Sequence, residues 1–288
     1  MKRKIVLVFC FFLIFIVTQS TSSLMQNKAK ERNKNRIRIG FQSYPSSIVE
    51  TFLLKNILEE KGYKVSLKNV EKDDVFDALK ENEIDVSLGS LLPDLDYTKT
   101  IKYEKHINNL AINYDSSSLN LYVPSYTHIA TTEELNFYKN KFGKKIFVIN
   151  NSHTLKEQLN NWIVENDFDF KIIECTANEL DEMLNEGIIN KDWIIFAGWE
   201  PHYLLGKYDL RALEGERFSN IYPQQKHTIV RSRFKNQKVI KILQDFFVEP
   251  WDMNELIYMF NQTEKEQYDR FIGDWINSDS SLKKRYYK

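Results

Sequence analysis

Residues 191–210 read KDWIIFAGWEPHYLLGKYDL. The apolar run 193–197 is too short for a buried helix and has the length and composition of a buried strand. The sequence therefore predicts a strand whose C-terminal end delivers Gly198, Trp199, Glu200, Pro201 and His202 into a loop. Open α/β sheets hold their ligands at the C-terminal ends of strands, which makes Trp199 the first candidate binding residue.

Upstream, the same kind of pattern repeats. Residues 145–149 and 171–174 read as strands, and 154–165 and 178–186 as helices, completing one alternating unit with the 193–197 strand. An earlier unit has strands at 37–41, 64–68 and 85–88 and helices at 46–61 and 73–82. In the first of those helices Ile48, Val49, Phe52, Leu53, Ile57 and Leu58 recur at helical spacing until Gly62 stops it. Strand–helix alternation in two successive units predicts an α/β fold with two lobes, and a ligand loop in the second lobe suits a receptor that closes a cleft. No internal sequence repeat is visible.

The segment Trp193, Gly198, Trp199, Pro201, His202, Tyr203 followed by Lys207–Leu210 resembles the substrate-binding proteins of ABC transporters for glycine betaine and related quaternary ammonium osmolytes. The resemblance extends through 37–63, 84–93, 227–231 and 250–275. It implies the two-lobe type II periplasmic-binding-protein fold, with a hinged cleft and crossings near 123–126 and 228–231. The expected organisation is a signal peptide at 1–22, a flexible spacer at 23–36, a first lobe of 37–124 plus 229–288, and a second lobe of 125–228. The chain from 237 through 275 is expected to be helical and to rejoin the first lobe.

A quaternary ammonium has no N–H to donate, so aromatic faces must hold it, while its carboxylate needs N–H donors or a cation. Tyr44, Pro45, Ser46 and Ser47 make a turn just before the first helix, where backbone amides point outward. The resemblance implies that Tyr44 stands at a family tryptophan position, that the backbone amides following it receive the carboxylate, and that His227 in K-H-T-I-V-R assists. Two further family tryptophans correspond to Leu91 and Val248, which leaves Trp199, Tyr44, Tyr203 and Trp251, with Tyr97, as the available rings. The candidate ligand-binding set is thus Trp199, Tyr44, Pro45, Ser46, His227, Tyr203, Trp251 and Leu91. His202 is read as shaping its loop, and Trp162, Trp193 and Trp275 as core.

The N-terminus carries Lys2, Arg3 and Lys4 before an apolar run at 5–17 and a polar stretch at 18–23. That run falls short of the roughly 20 residues of a spanning helix, so it reads as an export signal. Cys10 lies inside the run, leaving Cys175 without an internal disulfide partner. Export places the protein on the outer face of the cytoplasmic membrane, extracellular or periplasmic, associated through its signal segment or through an ABC permease with its ATPase. Forty basic against forty acidic residues give no net charge and argue against a nucleic-acid binder. The five histidines show no His-x-x-x-His spacing and the two cysteines no Cys-x-x-Cys, so no metal or cofactor is expected. The reading is a non-enzymatic solute receptor. Its alternatives are a membrane-tethered sensor using the same cleft, or an enzyme drawing on Cys175 with His202 or Glu200.

Overall fold

The computed structural model describes residues 35–150, 153–219, 223–278 and 283–284. The expected signal segment and nearly all of the spacer lie outside them. Among the described residues no helix is long and apolar enough to cross a membrane.

The first lobe starts with β1 (Arg36–Phe41), α1 (Pro45–Glu60), β2 (Lys64–Asn69), α2 (Val75–Lys80) and β3 (Val86–Leu92). Strand β1 lies between β2 and β3, parallel to both. Its sequence alternates, Arg36-Ile37-Arg38-Ile39, so Ile37 and Ile39 share one face and are fully buried there. One face packs against α1 through Val49, Leu53, Leu54, Ile57 and Leu58. A separate cluster joins Val75, Phe76 and Leu79 of α2 to Ile84, Ile107 and Ile229. Helix α1 begins at Pro45, whose ring presets the first helical φ and whose missing N–H is not needed there. It ends before Gly62, which takes φ +83° and turns the chain into β2.

After α3 (Tyr97–Lys102) comes β4 (Ile107–Pro124), an 18-residue strand. The second lobe adds α4 (Leu135–Tyr138), β5 (Lys145–Ile149), α5 (His153–Glu165), β6 (Lys171–Cys175), α6 (Ala177–Asn190), β7 (Phe196–Glu200), α7 (Tyr203–Lys207) and β8 (Leu210–Ala212). Here β5 lies between β6 and β7, parallel to both, as β1 does in the first lobe. Helix α6 is started by a capping box in which Thr176 and Glu179 satisfy each other's backbone amides. Cys175 is a buried free thiol whose pKa burial pushes up to about 11.

Strand β9 (Gln224–Arg231) pairs with β3 and with β4, both antiparallel. The full ladder runs β2-β1-β3-β9-β4-β7-β5-β6, with β8 also on β4. Strand β4 is the shared element: it pairs with β9 as far as Ser117 and with β7 from Ser118. That change of partner comes several residues before the crossing expected near 123–126. On the return, β9 joins β3 from Gln225 onward, ahead of the crossing expected near 228–231. Helices α8 (Gln237–Asp245), α9 (Pro250–Phe260) and α10 (Tyr268–Asn277) follow, and they share the first-lobe core with α1 through Leu243, Met253, Leu256, Phe260 and Trp275.

One strand differs from expectation. The 193–197 strand is displaced to Phe196–Glu200, because antiparallel pairing with Ser118–Tyr122 carries it to Glu200. Ile195 precedes the strand: its side chain is buried in the second-lobe core and its carbonyl accepts from Phe147 N at 3.0 Å. Trp199 therefore stands within the strand end rather than in the loop after it. Its partner β4 contains Asn, Asp and Ser over much of its length, which hides the strand from a reading of local pattern.

Candidate functional site

The C-terminal ends of β1, β3 and β7 meet at a cleft of about 520 Å³. From the first lobe it is lined by Tyr44, Pro45, Ser46, Leu91, Lys226, Ile257 and Asn261; from the second by Trp199, Glu200, Pro201, His202 and Tyr203. Six of the residues proposed from sequence, Tyr44, Pro45, Ser46, Leu91, Trp199 and Tyr203, come together here.

The first-lobe wall is built by the entry into α1. Tyr44 is the N-cap residue, extended at φ −116° and ψ 152°, and makes no side-chain cap bond. Ser47 takes a different role from a cap: its hydroxyl accepts from Gln42 N at 3.1 Å and ties the helix start back to β1. Ser46 is buried, and its Oγ accepts from Lys226 Nζ at 3.3 Å. The same ammonium donates to Glu50 Oε2 at 2.6 Å, with both side chains almost wholly inaccessible. Burial pushes the Glu50 carboxyl up, while Lys226 pulls it down without fully offsetting the effect. Lys226 Nζ also lies 5.6 Å from the Tyr44 ring centre and 6.0 Å from that of Tyr114. Burial raises the pKa of Tyr44 as well.

The second-lobe wall is an aromatic stack. Trp199 meets the His202 ring edge-on at 4.9 Å and 90°, and His202 lies 4.7 Å from the Tyr203 ring. His202 caps α7: its Nδ1 accepts from Leu204 N at 3.3 Å. That bond requires an unprotonated Nδ1, and burial holds the His202 pKa down at about 4, against a weak upward pull from Asp181. Tyr203 donates its hydroxyl to Ala177 O at 3.2 Å, and burial brings its pKa up to about 12. Glu200 sits beside Trp199 with its pKa raised by burial, although the Asn254 amide opposes the rise by donating to Oε1 at 2.9 Å.

Asn254 belongs to α9, so this bond joins the two lobes beside the cleft. Its Oδ1 also accepts from His202 N at 3.1 Å. One buried amide thus holds Glu200 at the end of β7 and His202 at the start of α7 against a first-lobe helix.

His227 and Trp251 do not line the cleft. In β9 the residue opposite Leu91 is Lys226, and His227 is opposite Ser90. Neighbours in a strand point to opposite faces, so Lys226 takes the cleft side while His227 meets Asn109 Oδ1 at 3.0 Å through Nδ1. Burial lowers the His227 pKa. Trp251, at the start of α9, is 66% exposed and stands near Glu200, Leu205, Gly206 and Tyr258 on the far side of the α7–α9 contact. Tyr97 is exposed and outside the cleft. Val248 is fully buried in the first-lobe core, where a tryptophan would overpack; Leu91 is at the cleft wall.

Sequence reasoning missed Lys226, Glu50, Asn254, Ile257 and Asn261. Glu50 alone left a local trace. It lies three, four and seven residues before Leu53, Leu54 and Ile57 and so falls on the apolar stripe of α1, where a carboxylate needs a partner.

Residues 35–278 match the family described as the substrate binding domain of the ABC-type glycine betaine transport system. The chain belongs to this family. A glycine betaine/carnitine transport binding protein from Listeria monocytogenes is 28% identical over 99 residues, which cover 33% of this chain and 32% of the relative. The match thus spans about a third of that curated relative's length. Among solved structures, lactococcal OpuAC in its closed, glycine betaine-bound form superposes with a TM-score of 0.62 at 20% identity, covering 88% of this chain and all of that one. A choline binding protein in complex with choline superposes at 0.55 and 21% identity, covering 86% and 89%. These two likenesses establish the two-lobe periplasmic-binding-protein fold that the sequence predicts. The family is one of transport proteins rather than an enzyme class.

Proposed function

We propose that the protein is the extracytoplasmic solute receptor of an ABC importer, closing its two lobes on glycine betaine or a related small zwitterionic or quaternary ammonium osmolyte and presenting the closed form to a permease and its ATPase. The observation that carries this reading is the cleft itself. Tyr44, Pro45, Ser46 and Leu91 on one lobe face Trp199 and Tyr203 on the other across about 520 Å³, the size of a small-molecule site. Trp199 supplies the ring face for a cationic head, with Tyr203 beside its partner His202; the first turn of α1 supplies amides that have no partner within the helix. We place the lobe boundaries where β4 changes partner at Ser117–Ser118 and where β9 enters the first-lobe ladder. Export by the N-terminal segment puts this receptor on the outer face of the cytoplasmic membrane. Membership of a transport family supports import over catalysis.

Calorimetric titration of the purified protein with glycine betaine, proline betaine, carnitine, choline and ectoine tests the reading. Saturable binding of at least one at micromolar concentration is expected. Absence of binding by all five would overturn it.

A further inference from the structure

The two walls of the cleft differ in charge, and the difference is built in. On the first lobe the cleft-lining charged group is Lys226, which is only 3% exposed along its side chain. An ammonium has three N–H donors. One goes to Glu50 Oε2 at 2.6 Å and one to Ser46 Oγ at 3.3 Å, which leaves the third. Glu50 does not line the cleft: it is fully buried behind Lys226 in α1, and its Oε1 has no hydrogen-bond partner among the described residues. A ligand entering the cleft therefore meets the positive member of the pair first. Desolvating such a pair is costly, and the hydrophobic face of α1 offers no packing reason for a carboxylate at position 50. Its evident effect is to hold a cation at the first-lobe wall.

That cation also occupies the aromatic surface on its own side. Tyr44 and Tyr114 both have the Lys226 ammonium over or beside their rings, at 5.6 Å and 6.0 Å. A ring face that already accommodates one cation is a poor site for a second, because the two like charges would lie within a few ångströms in a region of low dielectric. The opposite wall has the complementary character: the Trp199 face and the Glu200 carboxylate, of which Oε1 is bonded to Asn254.

We propose that Lys226 is the carboxylate anchor of the cleft and sets its specificity. The ligand is a small zwitterion with its carboxylate against Lys226 and Ser46 in the first lobe and its cationic end against Trp199 and Glu200 in the second. A cation without a carboxylate is rejected. This inference rests on the receptor reading and narrows its ligand class. It also gives closure a cause: only a ligand with opposite charges at its two ends attracts both walls at once, whereas a simple cation is attracted by one and repelled by the other.

The test uses two probes that differ at one end, glycine betaine and choline, titrated calorimetrically into native protein and into a Glu50→Gln/Lys226→Met double variant. The double variant removes both charges at similar volume and avoids the unpaired buried carboxylate that Lys226→Met alone would leave; its melting curve verifies folding. Native protein is expected to bind betaine at least about tenfold more tightly than choline. The double variant is expected to lose betaine affinity by about tenfold to a hundredfold, the effect of one charge-assisted hydrogen bond, with choline binding unchanged or tighter. Native protein that binds choline as tightly as betaine, or a folded double variant that keeps native betaine affinity, would overturn the inference while leaving the receptor reading standing. The native choline-to-betaine ratio decides the matter even where the variant does not fold. Failure of native protein to bind either probe or any other osmolyte of the panel would remove both readings together.

Discussion

Gly206 in α7 lies so close to Asn254 in α9 that a Cβ at position 206 would overlap the Asn254 carbonyl. The two residues belong to different lobes, and their contact sits immediately beside the bonds that Asn254 makes with Glu200 and His202. Absence of a side chain at 206 is what lets the ligand loop approach the first-lobe helix.

Gly206→Ala should therefore push α7 away from α9. Overpacking of this kind costs about 1–3 kcal/mol, and because the contact is between lobes the loss is expected in ligand affinity more than in melting temperature. Calorimetry together with solution scattering checks this: the variant should bind more weakly and show a larger radius of gyration at saturating ligand than native protein.

Asn254→Ala removes both bonds that join α9 to the second-lobe loop. Each contributes about 1 kcal/mol, so affinity for the ligand should fall by roughly one to two decades. Asn254→Asp should do comparable harm, since a carboxylate cannot donate to Glu200 and places a second carboxylate beside the half-buried one. A titration of both variants against native protein measures the effect.

Trp199→Ala, Trp251→Ala and Trp275→Ala separate binding from packing. Loss of the Trp199 face should weaken binding of a ligand with a cationic head by roughly 0.5–2 kcal/mol. Trp251 is 66% exposed and should be dispensable for affinity. Trp275 is 8% exposed in the first-lobe core, so its removal should cost about 3–5 kcal/mol of stability. Equal binding by the Trp199 and Trp251 variants would remove Trp199 from the site.

His202 gives stability a pH dependence with a definite sign. Burial holds its pKa at about 4 in the folded protein, below the 6.5 of a free histidine. Between these values the unfolded chain binds the proton and the folded one does not, so the contribution is complete above pH 6.5 and is lost as pH falls towards 4. The shift corresponds to at most about 3 kcal/mol. His202→Asn keeps a cap acceptor but cannot titrate. Urea unfolding at pH 7 and pH 4.5 should therefore show a smaller acid loss for the variant than for native protein.

Much of the fold is legible in local sequence because its signals are local. Helix α1 follows from Pro45, the apolar stripe and Gly62, and α6 from Thr176 and Glu179 as its capping box. Trp199 could be picked out because it follows a short apolar run. The second-lobe strand nonetheless shifted by three residues, since its extent depends on pairing with β4 rather than on its own composition. Lys226 went unnoticed beside His227 for a similar reason: which of two adjacent residues faces the cleft depends on the register of β9 against β3.

Sequence by itself determined the α/β class, the two successive units, the family resemblance and the aromatic and helix-entry elements of the cleft, all of which depend on residues close together in the chain. Tertiary structure alone decided that Lys226 meets Glu50 from 176 positions away, that Asn254 ties Glu200 and His202 to a first-lobe helix, and that Trp251 stands outside the cleft. A buried ion pair and a contact between lobes arise from strand register and helix packing. Those are fixed by the sum of many distant contacts, and no short stretch of sequence contains them.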